Sequence, residues 1–550
     1  MRPLPELTPE TGWFWTSGED GLLRIQRCTN CGELAHPPVP ICPYCRSRSA
    51  KPTEVSGRGT IVGFTVNAHQ WLPEFPPPYV IGNVALAEDP RVRLTTNIVG
   101  CDPSEVRIGQ EVTVRFEHDE NVWLPLFEPT GEIDPVDRVE EPVRPTPRPP
   151  PSPERFEHRA VLSGIGRSKV GRRLMVDPLS LAVDACLAAV EDAGLKLEDI
   201  DGLSTYPGGG LGMGMGEGGV SAIEEALRIQ PTWINGGMEI PGQGGAVIAA
   251  AMAVATGLCR HVLCFRTVWE STFAVLRARS VASQGGGGGR QRVSGTFSEW
   301  RAPFGAMSAA NWIGMNAEQY LHRYGAPREM LGLIAVTERA HAALNPDAIY
   351  RDPMTMDDYL SARPITSPFG LYDCDVPCDG SIAVIVSDAS VADDLPHPAV
   401  RMEAVGTQIL ERLSWDQGTV THEPQVLGQA AHLWTRTDLR PSDVDVALVY
   451  DGFSFNAISW LEGLGFCGIG EAYDWLDGGK RIALGGELPV NTHGGQLSEG
   501  RLHGFGFIYE AVLQLRHDAG ARQVAGAKTA VVSTGGGTPS GTFLLQRKDA

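Results

Sequence analysis

Leu195-Lys196-Leu197-Glu198-Asp199-Ile200-Asp201, with a tyrosine following at Tyr206, returns near the far end of the chain. There it reads Leu439-Arg440-Pro441-Ser442-Asp443-Val444-Asp445, with Tyr450 at the same interval. Residues 180–193 ahead of the first copy read as a helix, and residues 202–205 after it read as a strand. Two copies of one helix–turn–strand unit, so far apart, imply a duplicated fold. Strands alternate with helices from residue 160 onward, which makes the class α/β.

Outside that unit the composition sets bounds. A chain of 550 residues suits two or three domains, each with its own core. A formal net charge of −20 argues against non-specific nucleic-acid binding and against docking on anionic membranes, so an anionic ligand needs a local basic pocket. No charged-then-apolar leader opens the chain. The longest apolar run, 244–258, falls short of the ~20 residues a membrane span needs and reads as a buried helix. Seven of the eleven cysteines are scattered, which fits a reduced, cytoplasmic protein.

The other four cysteines are not scattered. Cys28-Thr29-Asn30-Cys31 and Cys42-Pro43-Tyr44-Cys45 can supply four thiolates to one tetrahedral zinc ion, a closed shell with no position left for water. Such an ion is structural. Short strands separated by Gly and Pro follow at 60–66, 79–81, 94–99 and 112–116, the pattern of a small OB-fold barrel. The proline-dense run Val143-Arg144-Pro145-Thr146-Pro147-Arg148-Pro149-Pro150-Pro151 reads as an extended spacer. The expected domains are 1–55 (N-terminal helix and zinc ribbon), 56–130 (OB-fold), 131–157 (linker) and 158–550.

Trp13-Phe14-Trp15, the cysteine pairs, His36-Pro37-Pro38, Gly57-Arg58-Gly59-Thr60 and Pro78-Tyr79-Val80 resemble the acyl-CoA-associated zinc-ribbon/OB-fold family, whose members accompany thiolase-type proteins. Residues 158–550 resemble the thiolase superfamily, in its branch of sterol-carrier-protein thiolases and steroid side-chain-cleaving aldolases. The stretches that carry the likeness are Gly242-Gln243-Gly244-Gly245-Ala246, residues 373–380, Tyr450-Asp451-Gly452-Phe453, residues 491–504 and Ser533-Thr534-Gly535-Gly536-Gly537. The resemblance implies a five-layer αβαβα domain with an insertion over 269–373, and a homodimer.

It also implies which positions matter. The thiolase nucleophilic cysteine maps to Gly242, the second cysteine to Ser533, and the Gly-His-Pro histidine to Arg501, so acyl transfer through a cysteine is not expected. What remains is a fold that binds an acyl-CoA and holds an enolate by directed dipoles. The activity implied is retro-aldol cleavage of a bulky 3-hydroxyacyl-CoA. An acyltransferase or Claisen-type enzyme and a non-catalytic acyl-CoA carrier stand as alternatives.

Tyr450 is the leading acid/base. With a free pKa of about 10 it needs a cationic neighbour to act as a base, and Arg501 or a protonated histidine could serve. His503 and His493 are candidate donors to the enolate, and Asp451 joins them. The competing readings are a core tyrosine, a helix-capping Asp451 and a His493 that only holds its loop. The turns Gly494-Gly495 and Gly536-Gly537 are expected to border the CoA thioester, and Arg277, Arg279, Arg290 and Arg292 are candidates for its phosphates. Where a second catalytic tyrosine is expected, the chain has Arg501.

Overall fold

A computed structural model describes residues 2–73, 75–133, 146–209, 214–283, 291–295, 298–412, 414–423, 425–535 and 540–548. Gly536, Gly537, Arg290 and the glycine run 285–289 lie outside the described residues. The ribbon is a three-stranded antiparallel sheet with β1 (Arg24–Cys28) between β2 (Leu34–Ala35) and β3 (Ala50–Glu54). Next come β4 (Arg58–Asn67), β5 (Tyr79–Leu86), β6 (Arg93–Ile98), β7 (Gln110–Asp119) and β8 (Val122–Ile133). They pair in the order β4-β5-β6-β8-β7, and β7 pairs back onto β4 to close a five-stranded barrel. Four of these strands are read from the sequence. The fifth, β8, is masked there by Pro125 and Pro129, residues that cannot donate to a ladder, yet the two prolines sit opposite Phe116 and Val112.

The large domain is built twice. Its first half has β9 (Ala160–Arg167), β10 (Gly202–Thr205), β11 (Trp233–Gly236), β12 (His261–Trp269) and, after the insertion, β15 (Asp379–Asp388). Its second half has β16 (Val400–Gly406), β17 (Val446–Leu448), β18 (Thr529–Thr534) and β19 (Gly541–Arg547). All nine form one sheet in the order β11-β10-β12-β15-β9-β16-β19-β18-β17. Read outward from the β9–β16 seam, each half runs first, last, fourth, second strand. The third strand of the second half has shrunk to one bridge, Ala447 to Val490.

The repeated sequence makes the same contacts in both places. Asp199 accepts the Lys196 N–H and Asp443 the Arg440 N–H, each at 2.8 Å. Asp201 accepts the N–H groups of Arg260 and His261, and Asp445 those of Lys528 and Thr529, at the start of the fourth strand of each half.

Helices α1 (Pro178–Asp192) and α2 (Val220–Leu227) cover the outer face of the first half around Ala185, Ala189, Leu203 and Ile223. Helix α3 (Gly245–Ala255) packs on β15, β10 and β12. The insertion carries α4 (Glu270–Ser283), α5 (Ala309–Tyr324), α6 (Glu329–Ala343), β13 (Pro364–Thr366) and β14 (Phe369–Gly370). In the second half, α7 (Val426–Leu433) and α8 (Ser454–Gly463) cover the outer side, and α9 (Gly495–Ser498) and α10 (Phe505–Arg516) follow the Val490 bridge. Helix α10 touches strands of both halves, so α3 and α10 form the inner layer between outer helices.

The insertion also ties the barrel to the large domain. Strand β13 extends the barrel sheet at Asn67, and Trp15 stacks on Trp300 at 4.9 Å. Buried Arg301 pairs with buried Asp416 at 3.1 Å, while Asp416 takes a further hydrogen bond from Thr95 and its carbonyl takes one from Asn83. Removing one partner of such a pair strands the other charge, at a cost of about 3–5 kcal/mol.

Candidate active site

The glycine-jointed stretch 491–506 forms two turns between the Val490 bridge and α10. Asn491 pins the first turn: its Nδ2 donates to Glu338 Oε1 at 2.7 Å and to the Val449 carbonyl, and its Oδ1 accepts the Val449 N–H. Asp451 accepts the N–H groups of Gln496 and Leu497, so it caps α9 and not the helix that follows it in sequence. A β-carbon at Gly495 would collide with the Asp451 and Glu338 carboxylates, and one at Gly494 with Ala342. These two glycines let the loop close onto α6 and the Asp451 turn. Burial pushes Glu338 well up, and Asp451 with it, as befits two facing acids cut off from water.

The second turn holds two fixed donors. Gln496 Oε1 accepts the His503 N–H at 3.1 Å, which orients the amide and leaves its Nε2 without a partner. His503 Nδ1 lies 2.6 Å from Arg266 Nη2. An arginine only donates, so Nδ1 accepts and the ring proton sits on Nε2, itself unpartnered. Burial, with Arg501 and Arg266 adding, holds His503 far below the ordinary histidine range, so the ring is neutral. Buried polar groups are nearly always satisfied within a folded chain. The Gln496 and His503 N–H groups, each fixed from behind, are the candidate donors to a ligand oxygen.

Tyr450 joins this pair at the end of the second-half strand. Its N–H donates to Ser533 Oγ at 2.8 Å, and the Gln496 amide lies beside its phenol and beside the Asp451 carboxylate. Burial pushes the phenol up and Arg501 offsets this only in part, so Tyr450 keeps its proton and is a donor. Arg501 is locked, with Nη1 3.2 Å from Glu270 Oε1 and Nε 2.9 Å from Asp375 Oδ2.

His493 has other neighbours. Its ring packs edge-on against Phe507, its Nε2 is 3.6 Å from Glu499, and burial drives it down to about 3. Of the arginines considered for the phosphates, Arg292 is tied to Glu120, Asn121 and the Pro5 carbonyl, while Arg277 and Arg279 are exposed on α4.

Gln496, Arg266, Glu270 and Asp375 are absent from the sequence-derived set. Gln496 and Asp375 lie inside stretches that carry the family likeness, which is the signal that could have found them. Arg266 and Glu270 arrive from β12 and α4, and no spacing rule links those to residue 503.

The nucleophile position is closed. Gly242 has φ +61°, and a β-carbon there would stand 2.5 Å from the Thr534 carbonyl oxygen. Ser533 is occupied by the Tyr450 N–H. Cys378, beside Gly500, is fully buried, and burial keeps its thiol protonated.

In the ribbon, the sulfurs of Cys28, Cys31, Cys42 and Cys45 all lie within 4.8 Å of one another. Cys28–Cys45 and Cys31–Cys42 are each 3.6 Å apart, near the ~3.8 Å edge of a tetrahedron with Zn–S bonds of about 2.3 Å. The four thiolates fit a structural zinc ion.

A duplicated α/β domain with α3 and α10 at its centre, following a zinc ribbon and a closed barrel, defines a thiolase-like protein. Family models match in three places: a ChsH2 rubredoxin-like zinc ribbon domain over 15–50, a ChsH2 C-terminal OB-fold domain over 52–117, and a thiolase C-terminal domain-like family over 418–545. A steroid side-chain-cleaving aldolase of Thermomonospora curvata is 36% identical over 395 residues, 70% of this chain and 97% of that one. A 17-hydroxy-3-oxo-4-pregnene-20-carboxyl-CoA lyase of Mycobacterium tuberculosis is 35% identical over 404 residues, 70% of this chain and 99% of that one. The solved structure of an Ltp2-ChsH2(DUF35) aldolase aligns with a TM-score of 0.62 at 32% identity, covering 71% of this chain and 98% of that one. The chain belongs to the steroid side-chain-cleaving aldolase family of thiolase-like enzymes.

Proposed function

We propose that the protein cleaves the Cα–Cβ bond of a bulky, steroid-type 3-hydroxyacyl-CoA by a retro-aldol reaction, releasing a ketone or aldehyde and a shortened acyl-CoA. The observation that carries this reading is a pair of fixed donors. Gln496 and His503 lie on one loop beside Tyr450, joined by the His503 N–H to Gln496 Oε1 hydrogen bond, in a site without an available thiolate. Fixed donors of this kind stabilise a thioester enolate, the species that forms when the bond breaks. Tyr450 supplies a proton, Arg501 holds the acidic residues around it, and Asp451 and His493 hold the loop. Gly494 and Gly495 allow that loop its close packing.

The zinc ion braces the ribbon and takes no part in the reaction. A homodimer is supported by the open edge of the nine-stranded sheet at β11, where Ile234 is 57% exposed. No described helix is long and apolar enough to cross a membrane, and the seven cysteines outside the ribbon, none of them in a disulfide, suit a cytoplasmic setting.

The test is incubation of pure protein with 17-hydroxy-3-oxo-4-pregnene-20-carboxyl-CoA, followed by mass spectrometry. The expected products are a 17-keto steroid and a short acyl-CoA. Binding without cleavage would favour a carrier. Transfer of a labelled acyl group to protein or acceptor would favour the acyltransferase.

A further inference from the structure

The Arg501 contacts carry more than charge neutralisation. One guanidinium faces two carboxylates, Glu270 Oε1 at 3.2 Å and Asp375 Oδ2 at 2.9 Å, and the other Glu270 oxygen is buried without a partner. In a buried site the Glu270 charge disfavours that of Asp375, and Arg501 offsets this. The Asp375 N–H donates to the Gly452 carbonyl at 3.0 Å, and the Tyr450 hydroxyl leans over the same glycine, 3.2 Å from where a β-carbon would stand. The groups around Asp375 are Arg501, Tyr450 and Asp451 from the second half, Glu270 from α4 and Cys378 from its own loop.

We propose that Asp375 is the general base of the retro-aldol step and that Tyr450 is the acid. This rests on the aldolase reading above. The Asp375 carboxylate takes the proton of the β-hydroxyl, and the freed O–H pair becomes the carbonyl of the leaving ketone. The Cα–Cβ bond breaks, and its pair moves onto the thioester as an enolate whose oxygen is held by Gln496 and His503. Tyr450 protonates Cα, and the proton on Asp375 passes to the phenolate, restoring both groups. No other reactant is needed. The position where a second tyrosine is expected thus holds Arg501, and the base is the carboxylate that Arg501 carries. Burial lifts Asp375 to about 7, with Arg501 opposing and Glu270 and Asp451 adding. Tyr206, the counterpart of Tyr450 in the first half, is pushed up by burial and keeps its proton.

The experiment measures kcat and KM against pH for the parent, Asp375→Asn, Asp375→Glu and Glu270→Gln, using 17-hydroxy-3-oxo-4-pregnene-20-carboxyl-CoA as probe, with circular dichroism to confirm folding. Asp375→Asn should lower kcat about 10²–10⁴-fold with KM little changed, and the acid limb of the parent near pH 7 should vanish. Asp375→Glu should recover part of the rate. Glu270→Gln removes a neighbouring negative charge, so its acid limb should move to lower pH. Cleavage that survives Asp375→Asn within threefold, or an acid limb that Glu270→Gln leaves in place, overturns the assignment alone. A parent that cleaves nothing overturns the aldolase reading and this inference with it.

Discussion

The two halves of the large domain share a topology and differ at the turn before the inner helix. Each places a glycine-jointed turn just before its inner helix: Gly242-Gln243-Gly244 before α3, and Leu502-His503-Gly504 before α10. In the first half the turn is packed shut. The Gly244 N–H donates to Thr534 Oγ1 at 3.0 Å, and the Thr534 carbonyl fills the space a side chain at Gly242 would need. In the second half the turn carries His503, and Arg266 reaches across from the first half to fix its imidazole. On the proposed reading, a duplicated scaffold loses its nucleophile in one copy and keeps activity, because the enolate-stabilising dipoles reside in the other. What the first half retains is support for the second.

That division can be broken in several places. The largest effect is expected at His503. Substitution by Ala removes one preorganised donor and should lower kcat about 10²–10³-fold, and Gln496→Ala should cost a similar factor. Steady-state kinetics with the steroid CoA thioester checks this, and a kcat unchanged by both variants would move the enolate site elsewhere. A smaller effect is expected from restoring a cysteine in the first half. Gly242→Cys should yield no acyl-enzyme by intact-protein mass spectrometry. It should destabilise the fold by at least about 1–2 kcal/mol, since a side chain is forced into the left-handed region against Thr534. A trapped acyl group would show that the turn is not closed.

The smallest effect concerns pH. His493 is held at about 3 when folded against about 6.5 unfolded. Above pH 6.5 both states are neutral and the residue contributes nothing. Below that, only the unfolded chain takes the proton, and the fold loses about 1.4 kcal/mol per pH unit. His493→Gln lacks this term, so its stability relative to the parent should improve by that slope between pH 6.5 and 5 in urea titrations. A constant difference would mean that the ring titrates normally.

How much of this is legible in the sequence varies with the distance over which the contacts act. The duplication is legible because Asp199 and Asp443, and Asp201 and Asp445, each serve backbone groups whose need repeats with the unit. The ribbon is legible because all four ligands lie within eighteen residues of sequence. The loss of the nucleophile is read at Gly242, and the structure supplies the steric reason. The proton path is not legible. Arg501, Glu270 and Asp375 come from three separate segments, and the tautomer of His503 is set by Arg266 on a strand more than two hundred residues away. Tyr450 is singled out from the sequence, but burial decides whether it gives or takes a proton, and no spacing rule reports burial at a strand end.

The most direct test of the central claim is to run the cleavage in D2O without free coenzyme A and read both products by mass spectrometry. An enolate formed by C–C cleavage and then protonated leaves one deuterium at Cα of the shortened acyl-CoA and none added to the ketone skeleton. Turnover with that label, abolished or strongly slowed in Tyr450→Phe, is the predicted result. Cleavage that occurs only when coenzyme A is added would contradict the account, because the chain would then be transferring an acyl group after all.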